Sequence, residues 1–198
     1  MNKLAYTIIA LFTLCITSCS DEKNIFDSSS ANRMNAMLQQ CKEILTESEN
    51  GWIFEYYPED NKYGGFRFYM VFSKQGEVSI TAESPILESP GDQVTSMYQI
   101  KGDMGPILSF DTYNHILHQF SDPNPDGLGY EGDYEFIILN VAKDKIELKG
   151  KKNGTKMQMI PLPNDMTWES YSSKLDKMIE AFPGFTMRLN VNGTTIEM

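Results

Sequence analysis

From Gly51 to Ile160, apolar and polar side chains alternate with a period of two, the mark of strands with one buried face. Trp52, Phe54 and Tyr56 alternate with Ile53, Glu55 and Tyr57; Phe66, Phe68, Met70 and Phe72 alternate with Arg67, Tyr69 and Val71. Val78 and Ile80 follow the turn Lys74-Gln75-Gly76, and Val94 to Lys101 and Pro106 to Asp111 add further strands. Past a central loop, Asp133 to Val141, Lys145 to Lys149 and Thr155 to Ile160 read as strands separated by turns at Lys143-Asp144 and Lys152-Asn153-Gly154. About eight short strands joined mostly by tight turns predict an antiparallel meander, not parallel βαβ units.

Helical spacing brackets this run. Met34, Met37, Leu38, Cys41, Ile44 and Leu45 form one apolar stripe over Ser30 to Thr46, with Ser28, Ser29 or Ser30 as cap and Asn50-Gly51 as the stop. After Pro161 and Pro163, Thr167 caps a second helix with Trp168, Tyr171, Leu175, Met178, Ile179 and Phe182 on one face. The expected fold is mainly β (α+β), with an amphipathic helix at each end. A meander followed by a helix has the layout of a lipocalin-like barrel, the helix on the outer wall and aromatic inner faces filling or lining the lumen. A strongly curved open sheet with both helices on one face satisfies the same pattern. The single β-rich domain is placed at 30–183. In 184–198, Phe185, Met187, Leu189 and Val191 alternate up to Asn192-Gly193, and Thr194 to Met198 returns as a terminal hairpin.

The N-terminus changes the picture from a fold to an address. Lys3 precedes a short apolar run from Leu4 to Ile16, which reads as a secretory signal. The run falls short of the ~20 apolar residues of a membrane span. Ile16-Thr17-Ser18-Cys19 looks like a bacterial lipobox, so residues 1–18 are read as signal peptide and Cys19 as the lipidated first residue. Cys15 fits less well, because bulky Leu14 precedes it. Several acyl chains on one residue anchor stably, at ~0.8 kcal/mol per buried methylene. Residues 19–29 are a polar, flexible tether, and its Ser20-Asp21-Glu22 is similar to the acidic tag of lipoproteins on the outer face of the outer membrane. Cys41 lies on the helical stripe as a packed thiol, and no disulfide is expected. The formal charge is −10; losing residues 1–18 removes Lys3 and no acid, leaving −11. Such a balance excludes nucleic acid and anionic membrane surfaces as partners.

Four phrases together carry a family resemblance: Asn50-Gly51-Trp52, the segment Leu108 to Asn114 with His118, Gly132-Asp133-Tyr134-Glu135-Phe136, and Ile146 to Lys152. From about Ile25 to Pro163 the chain resembles the Bacteroidota lipoproteins of domain of unknown function 4302. That resemblance implies a surface lipoprotein accompanying outer-membrane receptor pairs of the starch-utilisation type. It implies no activity and no catalytic residue. It also implies a longer relative, so the terminal hairpin is read as the start of a truncated second part.

Candidate chemistry concentrates in Ile107 to Val141. Asp122-Pro123-Asn124-Pro125-Asp126-Gly127 matches the start of a calcium loop, with the Leu128 carbonyl and Asp133 at the twelfth position completing the set. Against it stand the short Asp133 in place of glutamate, the prolines at intervening positions and the missing flanking helices; an ordinary turn uses the same residues. His115, His118 and Asp111 form a candidate metal set, with a packed histidine beside Tyr113 and Phe120 as the alternative. Glu131, Asp133 and Glu135 offer a carboxylate pair, Asp133 and Glu135 lying on one strand face ~7 Å apart. No serine elbow, P-loop or H-E-x-x-H accompanies them. Among 23 Phe, Tyr and Trp, rows such as Trp52/Tyr56 and Tyr63/Tyr69 could stack on sugar rings or contact a partner protein, with sheet core as the alternative. The expectation is a lipid-anchored, surface-exposed accessory or binding protein of a nutrient-uptake system. No catalysis and no cofactor are expected of it, with calcium in the central loop as the one candidate. Its partners are the membrane, through Cys19, and an outer-membrane receptor or other surface lipoproteins. A lipocalin-like carrier of a small apolar ligand is the alternative, and a hydrolase the third.

Overall fold

The computed structural model describes residues 28–60, 62–82, 91–123, 129–181, 188–191 and 194–197. The segments read as leader and tether, with Cys19, lie outside the described residues up to residue 27. Helix α1 (Ser30–Glu47) is capped by Ser29, whose hydroxyl accepts the Asn32 N–H at 3.2 Å. Cys41 and Leu45 are buried and Met34 and Leu38 half-buried, while Met37, on the flank of the stripe, is exposed. Burial pushes the Cys41 thiol up to about 11, which keeps it protonated and inert. The chain turns at Gly51, where φ is +71° and a Cβ would meet the Met70 carbonyl at 2.8 Å, so only glycine fits. The next residue ties strand to helix: Trp52 Nε1 donates to the Leu45 carbonyl at 2.9 Å.

The strands are β1 (Trp52–Tyr56), β2 (Phe66–Phe72), β3 (Glu77–Ala82), β4 (Gln93–Met97), β5 (Gln99–Gly102), β6 (Pro106–Ser109), β7 (Glu135–Val141), β8 (Ile146–Gly150) and β9 (Lys156–Pro161). They form one antiparallel sheet in the order β4-β3-β2-β1-β9-β8-β7-β6-β5. Its two edges, β4 and β5, are separated in the chain by Tyr98 alone. The stretch from Val94 to Lys101, which alternates like one strand, therefore bends at Tyr98. Its first half pairs with β3 and its second half with β6, bringing the edges together into a nearly closed barrel. Tyr98 is held at the bend by its N–H on the Gly76 carbonyl (2.8 Å) and its hydroxyl on the Ser73 carbonyl (2.9 Å). The barrel form of the meander thus prevails over the open sheet.

The interior is filled by side chains. Phe54, Tyr56, Phe68 and Phe136 are fully buried, and Phe54 meets Tyr56 and Phe136 edge-on at centroid separations of 5.6 and 5.2 Å. Cys41 and Leu45 of α1 belong to this same cluster and close the end where β1 begins. Helix α2 (His115–His118) belongs to it at the other end, through Ile116 and Leu117; just beyond the helix, Phe120 packs on Tyr56, Phe66 and Phe68 at 5.4, 4.6 and 5.5 Å. Four residues are too few for helical periodicity to register, and α2 was not anticipated as an element. Helix α3 (Trp168–Ala181) starts at its Thr167 cap, which accepts the Ser170 N–H at 3.2 Å. It packs on the outer wall as expected: Ile53, Leu162 and Trp168 form a separate buried cluster, with Trp168 stacked on Tyr69 at 5.6 Å and 9°. That explains why Ile53 is buried although it alternates out of the lumen. Strands β10 (Arg188–Val191) and β11 (Thr194–Glu197) pair antiparallel, as the terminal pattern predicts.

Candidate functional site

The rim at the α2 end is built by side chains that pin loops to the barrel. Asn114 is fully buried; its Nδ2 donates to the Val94 carbonyl (3.2 Å) and Ser96 hydroxyl (3.1 Å), while its Oδ1 caps α2 by accepting the Ile116 N–H (3.1 Å). His118 follows one turn later. Its Nδ1 faces the Asn114 backbone, 3.1 Å from the N–H and 3.2 Å from the carbonyl oxygen. Two tyrosine rings lie against the imidazole: Tyr113 tilted at 5.3 Å and 38°, and Tyr134 stacked at 5.2 Å and 26°. Both tyrosines are exposed, by 64% and 45%, whereas His118 is buried. The Tyr113 hydroxyl donates to Asp122 Oδ2 at 2.8 Å, and the Asp122 N–H donates to the His118 carbonyl at 2.9 Å.

Beside Tyr134 lies a groove of about 310 Å³ lined by Gly132, Asp133, Tyr134, Glu135, Lys151 and Lys152. Two of its charged members, Glu135 and Lys151, sit in a network on the outer face of β5, β6 and β7. Lys151 pairs with Glu135 (3.0 Å) and Asp103 (3.5 Å), and Lys101 pairs with Asp111 (2.5 Å) and Glu135 (3.4 Å). The fully buried Ser109 hydroxyl stands between Asp111 (2.5 Å) and Glu135 (3.1 Å). Hydrogen bonding from Lys151, then from Ser109 and Lys101, holds the Glu135 carboxyl below its ordinary value against burial. For Asp111, burial is the largest single influence and works upward, yet hydrogen bonds from Lys101 and Ser109 bring the group below its ordinary value. Lys101 is correspondingly raised, foremost by its hydrogen bond to Asp111.

The three carboxylates that look like one set in sequence go to three places. Glu131 has a left-handed backbone, φ +53°, which turns its side chain to Lys62 (2.7 Å) and Tyr63 (3.1 Å). Hydrogen bonding with Glu59, then Lys62 and Tyr63, holds its carboxyl down to about 2. Asp133 is buried and secures the turn after β8: Oδ1 accepts the N–H groups of Lys152 (2.6 Å) and Asn153 (3.3 Å), and its own carbonyl accepts the Tyr56 hydroxyl (3.1 Å). A Cβ on Gly150 would fall inside the Asp133 carboxylate, so the turn is shaped around it. Only Asp133 and Glu135 share the groove, and both are engaged within the chain.

Burial leaves the Asp133 carboxyl raised, although the N–H groups of Lys152 and Asn153 pull the other way. A raised acid lends its stability below the unfolded pKa and loses it as pH rises through the folded one, so ionised Asp133 is a burden at neutral pH. The carboxylate is therefore wanted as an acceptor and not for its charge. Asp133→Ala, which abandons two backbone N–H groups, is expected to cost about 2 kcal/mol in denaturant melts at pH 7. Asp133→Asn, which keeps an oxygen at Oδ1, is expected to cost under about 1 kcal/mol. Equal losses would mean that the charge itself matters.

The central loop can be followed at its ends. Asp122 takes the Tyr113 hydroxyl and Asp133 the turn N–H groups; Asn124, Asp126 and Leu128 lie outside the described residues. Since both ends already have partners in the chain, melting midpoints in millimolar calcium and in chelator are expected to coincide. A rise with calcium would assign a cation shell to the loop. The other candidate set separates: His115 is exposed and His118 buried, while Asp111 serves Lys101 and Ser109. Among the described residues no three His, Cys, Asp or Glu side chains gather in a metal-holding group. Trp52 and Tyr56 are core residues, Tyr69 supports α3, and Tyr63 lies edge-on to Tyr130 at 5.4 Å. The reading of a packed histidine beside Tyr113 matches His118, while sequence reasoning missed Tyr134 as its other ring contact; the Asn114 cap ahead of apolar Ile116 and Leu117 was a further signal for placing His118.

The family described as Domain of unknown function (DUF4302) matches residues 22–198. No curated protein and no solved structure matches the chain.

Proposed function

The chain belongs to the DUF4302 family, and on that premise we propose that it is a lipid-anchored outer-membrane accessory protein that works by binding and performs no catalytic step. The observation that carries this reading is a barrel with a filled interior and an aromatic rim. Function then falls to the surface, and the rim offers exposed rings on a rigid support. The chain enters the barrel through α1, with Met34 and Leu38 against Gly102 at the closed end. The rim stands at the other end of the barrel, where Phe120 packs on Tyr56 and Phe66. A lumenal carrier would need Phe54, Tyr56, Phe68 and Phe136 to part, at the expense of their mutual contacts. The chain's partners in this role are a receptor or other lipoproteins of a surface uptake assembly. Protease shaving of intact cells is the test, together with the mass of the N-terminal peptide. Loss of the protein on shaving and an acylated residue 19 are expected. An unmodified Cys19, or full protection from protease, would overturn the proposal.

A further inference from the structure

We propose that the groove beside Tyr134 binds a neutral sugar ring. The proposal deepens the reading of the chain as a binding protein and is independent of the anchor. A pyranose has an apolar C–H face ringed by hydroxyls, and it is recognised by a flat aromatic face flanked by both donors and acceptors. Tyr134 supplies a face that cannot swing away: one side rests on His118, which is held by Asn114 and backed by Tyr113. Tyr134 also lines the groove and is 45% exposed. A ring already fixed loses little freedom when a ligand stacks on it.

The groove's polar groups suit hydroxyls. Glu135 presents acceptors, and Lys151 and Lys152 present donors. Glu135 and Lys151 are fixed by their mutual contact at 3.0 Å and by Ser109, Lys101 and Asp103, so these positions exist before a ligand arrives. Lysines 151 and 152 balance Asp133 and Glu135, while the whole chain carries −10. A balanced lining in a negative molecule selects a neutral ligand over an anionic one. A volume of about 310 Å³ fits one ring or the end of a saccharide chain.

The test is saturation-transfer NMR on the whole protein with millimolar methyl glycosides of glucose, galactose and mannose, and with methyl glucuronide as the anionic comparator. At least one neutral glycoside should receive saturation on its ring C–H protons, and the glucuronide less. Tyr134→Ala should weaken binding about tenfold, and Tyr134→Phe should retain it. Both variants should keep the parent melting midpoint, since Tyr134 is half exposed at the rim. Absence of transfer to every neutral glycoside, transfer unchanged in Tyr134→Ala, or a preference for the glucuronide would each overturn the proposal. The shaving experiment does not involve the groove, so a sugar-negative protein exposed on cells loses only this assignment.

Discussion

Phe120→Ala is expected to lower stability by about 3–5 kcal/mol, read as a fall in the denaturant midpoint with little change in slope. Phe120 is fully buried and closes the barrel at the α2 end, its ring packed on Tyr56, Phe66, Phe68 and Tyr130. Rigid β strands surround it, so the void cannot collapse easily. The loss should also reach the rim, because the segment that carries Phe120 carries His118 and Asp122 too. Loosening of the Tyr113–His118–Tyr134 stack should appear as reduced near-ultraviolet tyrosine dichroism. A cost below about 1 kcal/mol would show that this end of the barrel can close without the ring.

Gly132→Ala should be about as severe, roughly 3 kcal/mol, by overpacking instead of by a void. The added methyl would run into the Tyr56 hydroxyl and stand 2.7 Å from the Phe120 carbonyl and 2.8 Å from the Phe120 Cβ. Neither neighbour can yield cheaply. The Phe120 carbonyl accepts the Gly132 N–H at 2.7 Å, and the Tyr56 hydroxyl is fixed on the Asp133 carbonyl. Pairing Gly132→Ala with Tyr56→Phe removes the closest clash and should recover part of the loss, giving a measurable coupling between the two sites. Additive costs would place the strain elsewhere.

How far such features were legible in the sequence depends on whether a neighbour along the chain or a distant one decides them. The meander, its turns, both long helices and their caps follow from local alternation and from Ser29 and Thr167, and all are present. The bend at Tyr98 does not follow, because alternation continues through it; the bend exists only because the sheet curls until its edges meet. The site shows the same division. Glu131, Asp133 and Glu135 share a short stretch, but a left-handed residue and the approach to β7 direct them to Lys62, to the turn after β8 and to Lys151. Tyr113 and Tyr134, 21 positions apart, both lie against His118, and the Gly132 N–H on the Phe120 carbonyl ties the two segments together. Spacing in the chain could suggest candidate sets, but it could not say which side chains converge.

The pairing of β1 with β9 sets a rule for the order of events when the protein is made. Trp52 opposite Pro161, and Glu55 taking a hydrogen bond from Gln158 103 residues later, mean that the earliest strand to emerge meets one of its two neighbours last. Until that final strand arrives, β1 and β2 form an unfinished curl with an open flank, exposed to association with other chains. Such long-range closure belongs to the slower class of small-domain folding, in the range of ~ms to s. A chain stopped short of Lys156 should therefore remain a sticky fragment instead of a smaller working barrel.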